Sequence, residues 1–342
     1  MPSTSSIDEP PTSRPRVVFL IGSPRSGTTW LQSLLGAHAE IVTPQETDLF
    51  SKFIAPLQTW WDDQLDRSDS EQRDRRAKGL PAVLDDGEFT AMLTGMVDRV
   101  LDAIHKLDPT TSVIVEKSPA HSRHTELIAK YLPEAAFIHI VRDGRDVVAS
   151  LQSASRGWGA YWVGGGMKAK ARSWRTSVRD ARQAAATGRY TEVRYEQLRS
   201  GDPVPLQRAF ATTGLDVDIE RCATLLEEFS LSRMADGSTP SSITLGGEMA
   251  QRLDSLQEPQ GFFGRGAVGG WAESWTDTDR LLFDAVAGDL LIELGYEPDH
   301  TWAGSSLRRG RYRALAKVQR VIGKGGRRIG NKANRLLSRL PD

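Results

Sequence analysis

The stretch that decides the fold spans residues 17–31 and reads Val17-Val18-Phe19-Leu20-Ile21-Gly22-Ser23-Pro24-Arg25-Ser26-Gly27-Thr28-Thr29-Trp30-Leu31. Its first five residues are all apolar, which predicts a buried strand, and the pattern after Gly27 predicts a helix. A glycine-bounded turn lies between them. Such a turn directs backbone N–H groups and a helix N-terminus toward a bound anion. The stretch therefore predicts an anion site where a strand passes into a helix.

The spacing of the two glycines, Gly22-x4-Gly27, is that of a P-loop, but the following residues differ. A nucleotide-hydrolysing P-loop continues with Lys and then Ser or Thr. This chain continues with Thr28 and Thr29, so the lysine that spans the β- and γ-phosphates is missing. Arg25 instead supplies a planar, permanently charged fork beside the anion. The loop is thus expected to bind a phosphate-like group and not a Mg-triphosphate.

The full string Pro24-Arg25-Ser26-Gly27-Thr28-Thr29-Trp30-Leu31 resembles the 5′-phosphosulfate loop of sulfotransferases that use 3′-phosphoadenosine 5′-phosphosulfate (PAPS). The two glycines alone are a weak signal, whereas the whole string after a β run is far more specific. The resemblance implies that residues 24–29 bind PAPS and that Trp30 stacks on the adenine. A purely core tryptophan is the alternative interpretation of Trp30.

Four β-rich runs separated by helical patterns predict a parallel sheet with right-handed crossovers. They lie at residues 17–21, 112–115, 136–141 and 191–195. The fold class predicted is therefore α/β, a P-loop-like fold with a central parallel sheet flanked by helices. Ligands of such sheets bind at the carboxyl ends of the strands. We expect a disordered segment at residues 1–15, a sulfotransferase domain at 16–300 and a basic helical extension at 301–342. Residues 60–88 show no clear period and are expected to form a loop or lid.

A second motif begins at the end of the third run with Arg142 and reaches Ser150 in a predicted helix. An arginine and a hydroxyl that converge across a tight turn can bind phosphate through charge-assisted hydrogen bonds. The motif is similar to the sulfotransferase site for the 3′-phosphate, which implies that Arg142 and Ser150 bind that group. A solvated cluster of ion pairs among residues 142–146 is the alternative.

A third fragment, residues 263–271, resembles the C-terminal Arg-Lys-Gly-x-x-Gly-x-Trp motif of cytosolic sulfotransferases. It departs from that motif because Gly264 replaces the arginine and Arg265 the lysine. The resemblance implies cofactor contacts through Arg265 and Gly266, with one cation fewer toward the 3′-phosphate. A Gly-rich surface loop is the alternative. Tyr195 matches a family tyrosine that borders the adenine.

The acceptor of a sulfuryl group needs a base. The tyrosylprotein branch of the family uses a glutamate shortly after the first helix, in a Gly-Glu-Glu-Thr context. This chain has Pro44-Gln45-Glu46-Thr47 there, so Glu46 is the leading candidate base, with an exposed loop acid as the alternative. A glutamate is a weak base near pH 7 unless its pKa is raised, so we expect Glu46 in a partly desolvated cleft.

The run of residues 113–119, Val-Ile-Val-Glu-Lys-Ser-Pro, completes the catalytic set. Lys117 matches a family lysine that steadies the bridging oxygen or the sulfate, and Glu116 is expected to orient it. His121 and His124 are the alternative bases, each with a helix-surface histidine as the competing interpretation. Arg25 is expected to absorb charge on the leaving group. No cluster with metal-ligand spacing appears, so this chemistry requires no metal.

Composition is ordinary for a soluble protein, with 39% hydrophobic and 26% charged residues. The single cysteine, Cys222, excludes an internal disulfide framework and favours a cytoplasmic location. Residues 1–15 lack the apolar core of a signal peptide. No run approaches the ~20 apolar residues that a bilayer-spanning helix needs.

The zero net charge conceals an asymmetry. Twelve of the 44 Lys and Arg residues, and no acid, lie in residues 308–339, so residues 1–307 carry a net charge of −11. Apolar residues recur at helical spacing between these cations, which is typical of a helix on an anionic membrane surface. Docking on the acidic body of a second copy, in a homo-oligomer, and binding of an anionic polymer are the alternatives. Membrane contact would place the protein at the inner face of the membrane.

The acceptor is expected to carry a hydroxyl group, with an amine less favoured. Membrane contact favours a carbohydrate, glycolipid or other lipid-linked small molecule. Two other classes of function remain open. One is a P-loop-like small-molecule kinase, which Thr28 at the lysine position disfavours. The other is a non-catalytic protein that binds anions, nucleic acid or membrane through the basic extension at residues 301–342, called the basic tail below. Nucleic acid is not an expected partner.

Overall fold

A computed structural model describes residues 14–71, 79–239, 241–246, 262, 266–305 and 310. Five strands form one sheet, in the order β2-β3-β1-β4-β5, and every neighbouring pair is parallel. They are β1 (Arg16–Ile21), β2 (Ile41–Val42), β3 (Val113–Lys117), β4 (Ala136–Val141) and β5 (Tyr190–Arg194). The α/β class and the four predicted runs are confirmed. Three predicted regions lie outside the described residues. They are residues 1–13 of the predicted disordered segment, Arg265, and nearly all of the basic extension at 301–342.

Helices connect the strands and cover the sheet. They are α1 (Thr28–Gly36), α2 (Ala55–Glu71), α3 (Asp86–His105), α4 (Thr125–Tyr131), α5 (Gly144–Ala154), α6 (Met167–Gln183), α7 (Tyr195–Arg199), α8 (Val204–Thr213), α9 (Ile219–Glu228), α10 (Leu231–Ala235), α11 (Trp271–Ser274) and α12 (Asp277–Glu293). A π-helix lies at Leu49–Ile54, and 3₁₀ turns lie at Leu80–Ala82, Pro119–Arg123, Ala184–Thr187 and His300–Ala303. Among these helices, none is long and apolar enough to cross a bilayer.

The central strand β1 shows why the sheet is covered on both sides. Val18 and Leu20 pack on the face that α1, α8 and α9 cover, whereas Phe19 and Ile21 pack on the face that α3 and α4 cover. Successive side chains of a strand point to opposite faces, so a strand buried on both faces is a continuous apolar run. Residues 17–21 are such a run. A third cluster joins α5, α6 and α12.

Two elements differ from the prediction. The strand β2 has two residues, which is too short for a periodic signal. Helix α2 occupies the first half of residues 60–88, so the expectation of a loop there was wrong for that half. Tertiary packing explains the helix, because Trp61 is fully buried, stacks on Phe89 at 4.2 Å between ring centroids and donates from Nε1 to Asp86 (2.9 Å). A buried anchor of this kind overrides weak local periodicity.

Candidate active site

The residues singled out from the sequence meet at the carboxyl edge of the sheet. Ile21 ends β1, Lys117 ends β3 and Val141 ends β4, with Leu20 directly opposite Lys117 in the register. Because parallel strands end at the same edge, the loops that follow them face one crevice. The loop after β1, the turn at Arg142 and the Lys117 side chain therefore belong to one site.

The loop between β1 and α1 combines tight hydrogen bonds with left-handed backbone. The N–H and Oγ of Ser26 both donate to the Ser23 carbonyl, at 3.1 and 2.5 Å. Arg25 has φ 72° and Gly27 has φ 98°. A Cβ on Gly27 would lie 2.7 Å from the Tyr195 ring, so only glycine fits. Gly27 is the N-cap of α1 and offers no side-chain cap, which is the geometry of an anion-binding helix N-terminus.

Arg142 extends from the end of β4 to this loop. Its Nη1 donates to the Arg25 carbonyl (3.1 Å) and its Nη2 to the Ala267 carbonyl (3.0 Å). Its guanidinium lies 4.3 Å from the centroid of the Tyr195 ring. Arg142 is 8% exposed, and its buried Nε has no hydrogen-bond partner within the described part of the chain. A buried, charged donor without an acceptor is costly, so this position fits an anionic ligand.

Arg25 and Ser150, which were expected to bind different groups of the cofactor, contact each other. The Nε of Arg25 donates to Ser150 Oγ at 3.0 Å, and its Nη2 donates to the Phe262 carbonyl at 2.6 Å. The rings of Phe262 and Trp158 lie 4.7 and 5.1 Å from the guanidinium. The sequence did not identify these aromatic partners, although Trp158 lies in a stretch rich in glycine and aromatics. The two rings contact each other at 5.1 Å between centroids, and both make cation–π contacts that help to hold Arg25 in place.

The turn after Arg142 is buried rather than solvated. Arg145 and Asp143 form an ion pair at 2.7 Å, with both side chains less than a tenth exposed, which rules out the solvated cluster. Asp146 accepts from the N–H groups of Gly269 (2.8 Å) and Trp271 (3.0 Å). Burial raises the pKa of Asp146. These bonds attach residues 266–271 to the turn at the end of β4.

Tyr195 contacts the segment at residues 266–271. It is the first residue of α7 and not the last of β5. Its hydroxyl donates to the Gly266 carbonyl at 3.0 Å. Burial raises the pKa of the Tyr195 hydroxyl, which keeps it a donor. Gly266 has φ 55°, and a Cβ there would lie 2.2 Å from Leu231. The structure therefore brings Arg142, Tyr195 and Gly266 together, as the sequence motifs predicted.

Trp30 lies in the core rather than on the surface of the crevice. It is 3% exposed, and its Nε1 donates to the Phe229 carbonyl at 2.7 Å. Its ring meets Tyr195 edge-on at 5.6 Å between centroids. This arrangement is the core position that the sequence left open as the alternative to stacking on adenine.

Glu46 and Lys117 form an ion pair, with Oε1 and Nζ 2.5 Å apart. Nζ also donates to Thr29 Oγ1 at 3.4 Å, so Lys117 links the anion-binding loop to Glu46. The Lys117 side chain is 2% exposed, whereas that of Glu46 is 40% exposed. Glu46 was expected in a partly desolvated cleft, and its side chain is partly covered and contacts a buried cation.

His121 does not reach the crevice. It is fully buried, its Nε2 accepts from the Phe50 N–H (3.0 Å), and its Nδ1 lies 2.8 Å from Glu116 Oε2. Acceptance at Nε2 places the ring proton on Nδ1, which donates to Glu116. Both ring nitrogens are engaged, so we correct the assignment of His121 as a base and as a surface histidine. His124 is half-buried, and burial is the largest cause that lowers its pKa.

Glu116 does not orient Lys117, because adjacent residues of a strand point to opposite faces. Its Oε1 accepts from Thr47 Oγ1 (2.6 Å), Thr47 N–H (3.3 Å) and Ser118 Oγ (2.8 Å). Burial raises the pKa of Glu116, but His121 and the hydroxyl donors outweigh burial and hold it below its usual value. The buried group is thus an ionised carboxylate that binds the segment after Glu46.

No three His, Cys, Asp or Glu side chains within the described ranges are arranged to hold a metal ion. Chemistry without a metal stays a prediction.

Three comparisons place this fold and site among known proteins. The model of the Sulfotransferase family matches residues 15–218. The chain is 31% identical over 137 residues to protein-tyrosine sulfotransferase 1 of Danio rerio. The aligned region covers 40% of this chain and 35% of that protein. The chain is 26% identical over 137 residues to the protein-tyrosine sulfotransferase of Drosophila melanogaster, and the aligned region covers 40% of this chain and 25% of that protein. The match thus spans about a third or less of these relatives.

The crystal structure of mouse sulfotransferase SULT7A1 complexed with PAP shares the fold, with a TM-score of 0.52 at 16% identity over 82% of this chain and 85% of that one. The family match covers more than half of the sequence and includes the loop after β1, the Glu46–Lys117 pair and Arg142. This chain therefore belongs to the sulfotransferase family.

Proposed function

We propose that this protein transfers a sulfuryl group from PAPS to a hydroxyl acceptor, with Glu46 as the general base. The observation that carries the proposal is the convergence of two anion-binding features and the Glu46–Lys117 ion pair at one edge of the sheet. Membership of the family supports sulfuryl transfer over the kinase alternative. Relatives named protein-tyrosine sulfotransferases support a hydroxyl acceptor.

The two anion-binding features fit the two anionic ends of PAPS. The N-terminus of α1 and Arg25 would hold the 5′-phosphosulfate. Arg142, whose Nε lacks a partner within the described residues, and Ser150 would hold the 3′-phosphate. PAPS supplies an activated sulfuryl group and leaves as adenosine 3′,5′-bisphosphate (PAP).

The ion pair suggests how the acceptor is activated. Lys117 contacts both Thr29 and Glu46, so its charge lies between the loop and the base. In the reaction Lys117 would stabilise charge that develops on the transferring group. Glu46 then accepts the proton of the acceptor hydroxyl.

Affinity for nucleotides tests the 3′-phosphate assignment. We expect PAP to bind at least about tenfold more tightly than 5′-AMP, because a hydrogen bond to a charged group contributes roughly 1.5–3 kcal/mol. Isothermal titration calorimetry measures both affinities. Arg142→Lys should remove most of the preference for PAP over 5′-AMP. Lysine keeps the positive charge, but it lacks the planar guanidinium that binds phosphate through two N–H groups.

Arg175→Lys is the matched control, since Arg175 on α6 also donates to a carbonyl, that of Val286 on α12. Equal affinity for PAP and 5′-AMP in the wild-type protein would contradict the assignment of Arg142 and Ser150. Preference for ATP would restore the kinase alternative.

The basic tail supports a further element of the proposal, peripheral contact with an anionic membrane at its inner face and a lipid-linked or glycolipid acceptor. Its cations should each contribute about 1 kcal/mol near such a surface, an attraction that salt weakens. We expect the full-length protein, and not a variant ending at residue 307, to co-sediment with phosphatidylserine vesicles at low salt. A circular dichroism melt checks that the shortened variant is folded. Equal sedimentation of both proteins would favour oligomer contact instead.

A further inference from the structure

The segment that carries Glu46 is held on both sides by buried side chains. Upstream, the buried Gln32 of α1 donates from Nε2 to Thr43 Oγ1 and to the Pro44 carbonyl, both at 2.8 Å. Downstream, Thr47 is bound to Glu116 through its hydroxyl and its N–H. Glu46 itself contacts Lys117 between these two anchors. The position of its carboxylate thus depends on how firmly the neighbouring backbone is held.

The downstream anchor extends beyond Thr47. The Asp48 N–H donates to Ser118 Oγ (3.1 Å), and the Phe50 N–H donates to His121 Nε2 (3.0 Å). Ser118 and His121 in turn both donate to Glu116. One buried carboxylate therefore determines, directly or through one side chain, the places of three backbone N–H groups in residues 47–50.

The backbone that this unit holds is unusual. Asp48 has φ 52°, in the left-handed region that a non-glycine residue seldom adopts, and the π-helix Leu49–Ile54 follows at once. Such a conformation persists where surrounding contacts impose it, and π-helical turns occur frequently at functional sites. The turn brings the N–H groups of Asp48 and Phe50 against Ser118 and His121, which follow the end of β3.

We infer that Glu116, acting directly on Thr47 and also through Ser118 and His121, is a positioning residue that sets the Glu46 carboxylate against Lys117 by holding the backbone of residues 47–50. The inference rests on the proposed function, in which Glu46 is the base. Only a group that accepts at both oxygens satisfies all four donors that surround Glu116. A glutamine there would present an amide N–H₂ to a hydroxyl or to His121, and the histidine could accept it only by giving up its bond to Phe50.

The test uses Thr47→Val, which removes the hydroxyl that binds Glu116 and preserves shape, and Thr47→Ser, which keeps that hydroxyl. With PAPS and phenol as the probe acceptor, Thr47→Val should lower kcat roughly tenfold or more, because displacement of a catalytic group lowers the rate steeply. Thr47→Ser should restore kcat, and the Kd for PAP should be unchanged in both. Thr94→Val, which removes a helix-surface hydroxyl bonded to the Thr90 carbonyl, is the matched control.

Two readouts separate positioning from a merely structural role. In a Glu46→Gln background, Thr47→Val should cause no further loss of kcat, because the hydroxyl acts through Glu46. Crystal structures should show the Glu46 carboxylate displaced from Lys117 in Thr47→Val and paired with it in Thr47→Ser, a result that does not depend on the acceptor. A lower Tm with kcat and the ion pair unchanged, or an equal loss of kcat in the Glu46→Gln background, would overturn the inference. If Glu46→Gln alone leaves kcat unchanged, the base assignment fails instead.

Discussion

Replacement of Glu46 by glutamine should lower acceptor-dependent kcat by roughly 10²–10⁴-fold, which is the range that general base catalysis contributes. Glutamine preserves the size of the side chain and its contact with Lys117 but cannot accept a proton. Cofactor binding should be unchanged, because the nucleotide is proposed to bind to the loop after β1 and to Arg142, and not to Glu46. The measurement is transfer of ³⁵S from PAPS, together with calorimetry of PAP.

The choice of acceptor sharpens this prediction. Phenol must lose its proton during transfer, whereas p-nitrophenol is a much stronger acid that is partly ionised near neutral pH and depends less on a base. Glu46→Gln should therefore lose far more activity with phenol than with p-nitrophenol. Glu134→Gln, an exposed glutamate next to Arg189, is the control. Near-wild-type kcat with phenol would move the base elsewhere, and His124 is then the half-buried candidate to test.

Lys117→Met should lower kcat by roughly 10²–10³-fold, the usual cost of removing one group that stabilises charge in the transition state. Methionine fills the volume of this buried side chain without its charge, which avoids the cavity that alanine would leave. Because Lys117 is proposed to act on the transferring group and not on the acceptor, the loss of kcat should be similar for phenol and p-nitrophenol. That pattern distinguishes Lys117 from Glu46 in the same assay.

A second buried lysine provides the control for this variant. Lys170 on α6 is buried, and its hydrogen bond goes to the Gly165 carbonyl. Lys170→Met should therefore retain kcat, with any effect confined to the Tm. Thermal unfolding followed by circular dichroism checks all variants. If Lys117→Met loses stability and activity together while the active fraction keeps a normal kcat, Lys117 is a structural residue.

The sequence by itself determined four of the five strands and the segments of the chain that contribute to the site. The apolar run before Gly22 and the loop that follows depend on residues adjacent in sequence, so local pattern predicts them. Lys117 ends β3, Arg142 directly follows β4 and Ser150 lies in the next helix, and the parallel topology then places them at one edge. Glu46 came from resemblance to a motif, and the structure places it against Lys117.

Tertiary structure alone decided which of these side chains face the crevice. Trp30 is a core residue because its indole meets the Phe229 carbonyl, 199 residues away. Strand alternation places Glu116 and Lys117 on opposite faces of the sheet. The hydrogen-bond partner of Glu116, Thr47, lies 69 residues upstream, and no local sequence pattern links Thr47 to Glu116. His121 is buried for the same reason, because Glu116 and Phe50 satisfy both of its nitrogens. Contacts between distant segments carry no periodic signal in the sequence, and they arise only when the packed sheet brings those segments together.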